Sequence, residues 1–194
     1  MSEILITDVL VVGEGCAGQT AALAAIARTS SGVKGMKTTK FASAIDERYF
    51  EDYVVGSVYE FGDFAVTEAD VIGFAKQFDP QYIHTDPLRA RSGPYQGLIA
   101  SGWHSGAIIM RLVVDHYLSH VASLGSPGVD EMRWILPVRP GDKLRLRIEV
   151  LEARVSKSRP DRGLVTSGIE LVNQADQPVM SLRMVNLLSR RSTA

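Results

Sequence analysis

Hydrophobic and polar positions alternate through the second half of the chain. Leu144, Leu146, Ile148 and Val150 are separated by Arg145, Arg147 and Glu149, the two-residue period of a strand with one buried and one solvated face. This stretch lies in a run of four predicted strands, over residues 132–138, 143–155, 164–173 and 179–188. Arg139-Pro140-Gly141-Asp142 and Ala175-Asp176-Gln177-Pro178 carry turn chemistry between them. Ahead of the strands, residues 103–122 have a helical period. Ala107, Met110, Val114, Tyr117, Leu118 and Val121 recur at that spacing, and Ile108, Ile109, Leu112 and Val113 widen the apolar surface until little polar face remains. A helix apolar nearly all round is predicted to be buried on most sides. Gly125, Pro127 and Gly128 stop it. A buried helix followed by antiparallel strands predicts an α+β domain whose sheet wraps one central helix.

Upstream, residues 58–66 hold enough aromatic and β-branched side chains for a first strand. Thr67 is placed as the N-cap of a short helix, with Asp70 completing a capping-box-like start. Val71, Phe74, Ala75 and Phe78 recur at helical spacing and predict its buried face. Asp86-Pro87 predicts a further turn or two of helix, with proline at a first helical position.

The N-terminal 44 residues read differently. Residues 4–27 give a strand-like run, the glycines of Gly13-Glu14-Gly15-Cys16-Ala17-Gly18 and an Ala-rich helix, as at the opening of a dinucleotide-binding unit. Such a site needs a second strand ending in an acid about twenty residues on. Here a polar Gly/Ser/Lys stretch follows instead. A flavin-dependent oxidoreductase would rest on those glycines alone. The expectation is an appended segment and linker over 1–44, and one main domain over 45–194.

Composition narrows the function classes. At 194 residues the chain suits one domain with a sizeable core. A net charge of -1 gives no reason to expect nucleic acid or an anionic membrane surface as partner. The single cysteine, Cys16, excludes an intrachain disulfide framework and a Cys-based zinc site. His116 and His120 have the i, i+4 spacing of a metal pair but no Glu between them as in HExxH and no third ligand, so no metal is expected. No apolar run approaches transmembrane length, and the N-terminus lacks the basic region of a signal peptide. A cytoplasmic protein is expected.

Chemistry concentrates between Phe78 and Met110. Asp79 precedes Pro80, so it cannot comfortably continue the helix before it and stands at a break. His84 follows in the same short turn, and a Gly/Pro loop, Ser92-Gly93-Pro94 to Gly97, leads to Ser101-Gly102-Trp103 at the start of the central helix. A helix start presents unpaired N–H groups and the positive end of the dipole. An acid, an imidazole and a donor site for developing negative charge are thus placed close together in sequence.

This segment resembles the MaoC-like acyl dehydratases, the hot-dog-fold group that includes the R-specific enoyl-CoA hydratases. Their motif is D-x-N-P-[LIV]-H, then I-A-H-G-M at the central helix. Asp79, Ile83 and His84 match the first part, and Ile99, Ala100 and Gly102 the second. Gln81 and Tyr82 replace Asn-Pro, Ser101 replaces the histidine, Trp103 the methionine, and Met110 stands where some hydratases carry a serine. The resemblance extends from about Tyr49 to the C-terminus. It implies a hot-dog fold and reversible hydration of a 2-enoyl thioester of coenzyme A or an acyl carrier protein, with no cofactor. Asp79, His84 and the Gly102 N–H would be catalytic, with Ser101, Trp103 and His104 near the substrate. The basic hairpin carrying Lys157, Arg159 and Arg162 would contact the phosphates of coenzyme A. A hot-dog thioesterase and a non-catalytic acyl-CoA-binding subunit are the alternatives. Free sheet edges predict a homodimer or a dimer of dimers.

Overall fold

A computed structural model describes residues 38–192. The expectations for the glycine unit, Cys16 and the Ala-rich helix fall outside the described residues. From Thr38 onward the elements are β1 (Val58–Ala65), α1 (Glu68–Phe78), α2 (Tyr82–Thr85), α3 (Pro87–Arg91), α4 (Gly102–Leu112), β2 (Gly128–Trp134), β3 (Lys143–Val155), β4 (Arg162–Val172) and β5 (Pro178–Ser189). The strands form one sheet in the order β1-β3-β4-β5-β2, every neighbouring pair antiparallel. Its concave face wraps α4, as a hot-dog fold requires.

The alternation in β3 decides which face does the wrapping. Leu144, Leu146, Ile148 and Val150 are fully buried and share one core with Ile169, Leu171, Met180 and Leu182 of the sheet and Ile108, Ile109, Leu112 and Val113 of the helix region. The opposite face departs from a simply solvated one. Arg147 reaches Glu60 at 2.9 Å, Asp176 at 2.9 Å and Glu170 at 3.4 Å, and its side chain is only 11% exposed. Burial drives the Glu170 carboxyl above its ordinary value, with Arg147 opposing.

The central helix is shorter than its apolar period predicts. α4 gives way to a π-helical turn over Val113–Tyr117, closed by a bond from the Leu118 N–H to the Val113 carbonyl. Leu118 is already extended, so the helix ends at Tyr117 and not at residue 122. The cause lies far upstream. Buried Arg48 donates to the carbonyls of His116 (3.1 Å) and Tyr117 (2.6 Å), and the Tyr53 hydroxyl donates to Tyr117 (3.0 Å). Carbonyls taken in this way cannot serve another helical turn. The guanidinium lies 3.4 Å over the Phe41 ring, which stacks on Tyr59 at 4.1 Å. Residues just before position 45 therefore pack on the domain.

Burial also differs from expectation. Trp103, Met110 and Val114 are 61%, 40% and 41% exposed, a stripe along α4 that the wrapped sheet leaves open. On α1, Val71 and Ala75 are buried while Phe78 is exposed. The edge strand β2 starts at Gly128, earlier than the predicted 132, and a bulge between Asp130 and Arg133 interrupts its pairing with β5.

Two outcomes are expected from this packing. Arg48→Met should lower stability by about 2–3 kcal/mol, the worth of charge-assisted bonds to buried carbonyls, read as a lower urea midpoint at unchanged m. A chain beginning at Thr38 should keep one cooperative unfolding transition. One beginning at Arg48 should lose about 2 kcal/mol with the Phe41 side chain.

Candidate active site

Local rules set the acid. Thr67 accepts the Asp70 N–H and caps α1, and the helix runs until Pro80 forbids its continuation. Asp79 is thus the C-cap, off the helical path at φ -151° and ψ 70°. The chain turns at once into α2, a single turn that the bare spacing of Asp79 and His84 did not suggest. His84 is buried there. Two bonds from one residue hold this turn in place. The Ile99 N–H donates to the Ile83 carbonyl (3.2 Å), and the Ile99 carbonyl accepts from His84 Nδ1 (2.8 Å).

That second bond fixes the imidazole's chemistry. A carbonyl oxygen only accepts, so Nδ1 carries a hydrogen, and in the neutral ring Nε2 bears the lone pair. Nε2 faces Asp79 Oδ2 at 3.4 Å, longer than a charge-assisted bond. With the ring neutral, two proton acceptors face one another, and a donor lying to one side of the pair can reach both.

Asp79 is itself held from both sides. Gln81 Nε2 donates to Oδ1 at 2.7 Å and Ser101 Oγ to Oδ2 at 2.7 Å. Burial pushes the carboxyl up, but these two bonds, joined by the His84 charge when that ring is protonated, outweigh it and hold Asp79 below its ordinary value. Ser101 also accepts the Trp103 N–H (3.3 Å) as the N-cap of α4 and is fully buried. Its hydroxyl is committed to the acid and the helix, so the structure places Ser101 behind the dyad as a support. The departures from the motif at 81 and 101 are the donors that hold Asp79. Sequence reading found both positions but not their shared target.

Gly102 opens α4, where its N–H has no intrahelical acceptor. A Cβ at this position would lie 2.4 Å from Trp134 Nε1 and 2.5 Å from Cε2. Only glycine lets that indole sit against the first turn. Trp134 was not singled out from the sequence, since an aromatic in a predicted strand carries no sign of what it covers.

The other expected site residues divide. His104 is buried and stacks on Phe74 with ring centroids 4.8 Å apart. Trp103, expected near the substrate, points outward and meets Trp134 edge-on at 5.7 Å. Lys157, Arg159 and Arg162 are not brought to the dyad within one chain. Arg162 pairs with Ser189, whose N–H bonds to the Ala122 carbonyl beyond the far end of the central helix. Gly102 to Tyr117 alone spans about 24 Å. Arg162 is paired with Asp161 at 2.7 Å. His116 stacks on Phe61 and His120 bonds Asp46 and the Val114 carbonyl, the helix having ended between them. Among the described residues no group of three or more metal-ligating side chains is gathered, and no helix is long and apolar enough to cross a membrane.

Residues 52–173 match the family model of the MaoC like domain. Among solved structures, the MaoC-like dehydratase from Rhodospirillum rubrum aligns over 75% of this chain and 99% of its own at 37% identity, with a TM-score of 0.69. The R-hydratase PhaJ1 from Pseudomonas aeruginosa aligns over 74% and 86% at 25% identity, with a TM-score of 0.60. Protein YdeM of Bacillus subtilis is 29% identical over 140 residues, covering 72% of this chain and 98% of YdeM. With the motif residues gathered at one helix start inside a hot-dog fold, the chain belongs to the MaoC-like domain family.

Proposed function

We propose that the protein is an acyl-thioester hydratase/dehydratase that adds water reversibly to a 2-enoyl thioester of coenzyme A or an acyl carrier protein. The observation that carries this reading is Asp79 Oδ2 facing His84 Nε2 across 3.4 Å at the start of α4. A water to one side of the pair, within reach of both, gives one hydrogen to each acceptor. As its oxygen bonds to C3, the dyad takes up one proton, and the C2–C3 π electrons move toward C2 and the thioester oxygen. The Gly102 N–H and the α4 dipole meet that enolate-like oxygen. The proton is then delivered to C2, and elimination runs through the same groups. A single donor of this kind is worth roughly 3–4 kcal/mol in other enzymes. The reaction classes named for the Rhodospirillum rubrum and Pseudomonas aeruginosa proteins support the same reading.

The site also bears on assembly. Among the described residues β2 is an edge strand, and the exposed stripe of Trp103, Met110 and Val114 begins beside Gly102. We infer a two-fold dimer built on that edge and stripe, on its own or within a dimer of dimers. Antiparallel pairing sets the far end of the partner's central helix toward this site. Lys157, Arg159 and Arg162 would then reach the carrier phosphates from the second copy.

Asp79→Asn and His84→Ala should each lower turnover by about 10²–10⁴, and the double variant should be no worse than about tenfold below the poorer single, because both groups act on one water. Loss of enoyl-thioester absorbance with simultaneous assay of free thiol checks this. Thiol release without hydration would identify a thioesterase instead.

Protonation of Asp79 should limit kcat/KM only below the ordinary aspartate value, because its carboxyl titrates low. The sign follows from the bound state: its depressed pKa favours the folded form above the ordinary value, and that contribution fades as pH falls through the lowered one. Ser101→Ala and Gln81→Leu remove donors to the carboxylate, so each should shift the Asp79 titration upward. Ser101→Ala should also cost about 1 kcal/mol of stability as a lost cap.

Sedimentation at assay concentration should give a dimer or tetramer. Met110→Asp should dissociate it and abolish turnover, and a fully active monomer would remove the second copy from the site.

A further inference from the structure

Among the described residues, four buried side-chain polar atoms have no hydrogen-bond partner: Arg48 Nε, His104 Nδ1, Trp134 Nε1 and Asn186 Oδ1. Arg48 meets two carbonyls through Nη1, and the Trp134 ring covers Gly102. His104 is different. It is 7% exposed, none of the hydrogen bonds to its neighbours uses its ring, and its flat face is occupied by Phe74. A buried polar atom ordinarily has a partner, because leaving it dry and unpaired is costly. An imidazole in an aromatic stack could be replaced by phenylalanine at no such cost, so the nitrogen itself needs a reason.

Its place in the fold supplies one. Asp79 at the end of α1 meets Ser101 at the start of α4, and Phe74, earlier in α1, meets His104, later in α4. The two helices therefore run antiparallel, and their seam leads from the dyad inward to His104. His104 follows Ser101 by three residues, so it lies on the same side of α4, about 4.5 Å further along the axis. On the hydratase reading, a substrate at the dyad that sent one end along this seam would bring that end to His104. The carrier end is large and charged and must stay in water. The end that reaches buried His104 is the acyl tail.

Resting on the hydratase reading above, we propose that His104 determines specificity by hydrogen-bonding a neutral oxygen on the acyl tail, so that the preferred substrates are hydroxy- or oxo-substituted 2-enoyl thioesters. Burial holds the ring below its ordinary pKa against the pull of Asp70, so at neutral pH it offers one N–H and one lone pair. The Asp70 charge acting on the ring disfavours a carboxylate in the same place. The axial offset from Ser101 corresponds to about four carbon–carbon bonds, placing the oxygen near carbons 5 to 7.

The test compares kcat/KM for 2-octenoyl-CoA with its 5-, 6- and 7-hydroxy derivatives, using the full-length protein. At least one hydroxylated ester is expected to exceed the plain one by about tenfold or more, since a site built for a hydrogen bond discriminates against the analogue lacking it. His104→Phe, which keeps the stack on Phe74, should collapse that ratio toward one, while His104→Gln, which keeps a donor and an acceptor, should retain part of it. Hydration of the plain ester with no preference for any hydroxylated one would overturn this inference and leave the hydratase reading standing. A preference that survives in His104→Phe would also overturn it. If none of the four esters is hydrated, both readings fall.

Discussion

One hydroxyl group joins the chemistry to the architecture. Ser101 Oγ has a single hydrogen to donate, and it goes to Asp79 at 2.7 Å; the same oxygen accepts the Trp103 N–H that opens α4. The residue is fully buried, so no solvent competes for either bond. The position of the acid is therefore tied to the start of the central helix, where the unpaired Gly102 N–H also lies. His84 is tied to the same place through the Ile99 carbonyl, two residues before Ser101. Acid, base and donor are thus registered against one short backbone stretch, 99–102. A general base and an oxyanion donor are useful only if their separation holds through the reaction.

The other end of the helix is pinned just as firmly. Arg48 and Tyr53 take the last carbonyls, and the π-helical turn brings Tyr117 to Ser167 of β4 at 2.7 Å. A helix bonded at both ends and packed on a sheet between them has little freedom to slide. Its packed side chains would have to leave the fully buried Leu144–Val150 row to do so, and close-packed interiors resist such shifts. The rigidity of the site is thus inherited from contacts at both ends of the helix, some remote from the dyad.

This division explains what could be read from the sequence. The β3 limits, the Thr67 and Ser101 regions as helix starts and the break at Asp79 all follow from periods, caps and a proline, which act over a few residues. The Ser101–Asp79 bond spans 22 positions and the Arg48–Tyr117 bond 69, and nothing local announces either. Hence the helix was expected to run to 122, and the bond from Ser101 to Asp79 was not foreseen. The outward stripe of Trp103, Met110 and Val114 was read as core because hydrophobicity reports that a side chain is to be covered, not by which chain. The basic hairpin is set by distance of the same kind: a β3 strand of thirteen residues carries it away from the dyad of its own chain.

The first turn of α4 shows how closely these demands are interleaved. Successive residues of a helix point about 100° apart, and three in a row serve three neighbours. Gly102 gives its missing side chain's space to Trp134, Trp103 stands outward against the edge of that same indole, and His104 turns inward to Phe74. The donor N–H, the exposed stripe and the buried imidazole are therefore three faces of one turn. A body covering Trp103 presses on Trp134, and Trp134 lies on the residue whose N–H is proposed to meet the developing charge. A change on the outer face of this turn can reach the reaction through one indole ring. For that reason the glycine here answers to a steric constraint as well as an electrostatic one: any side chain at 102 would displace Trp134 before it touched a substrate.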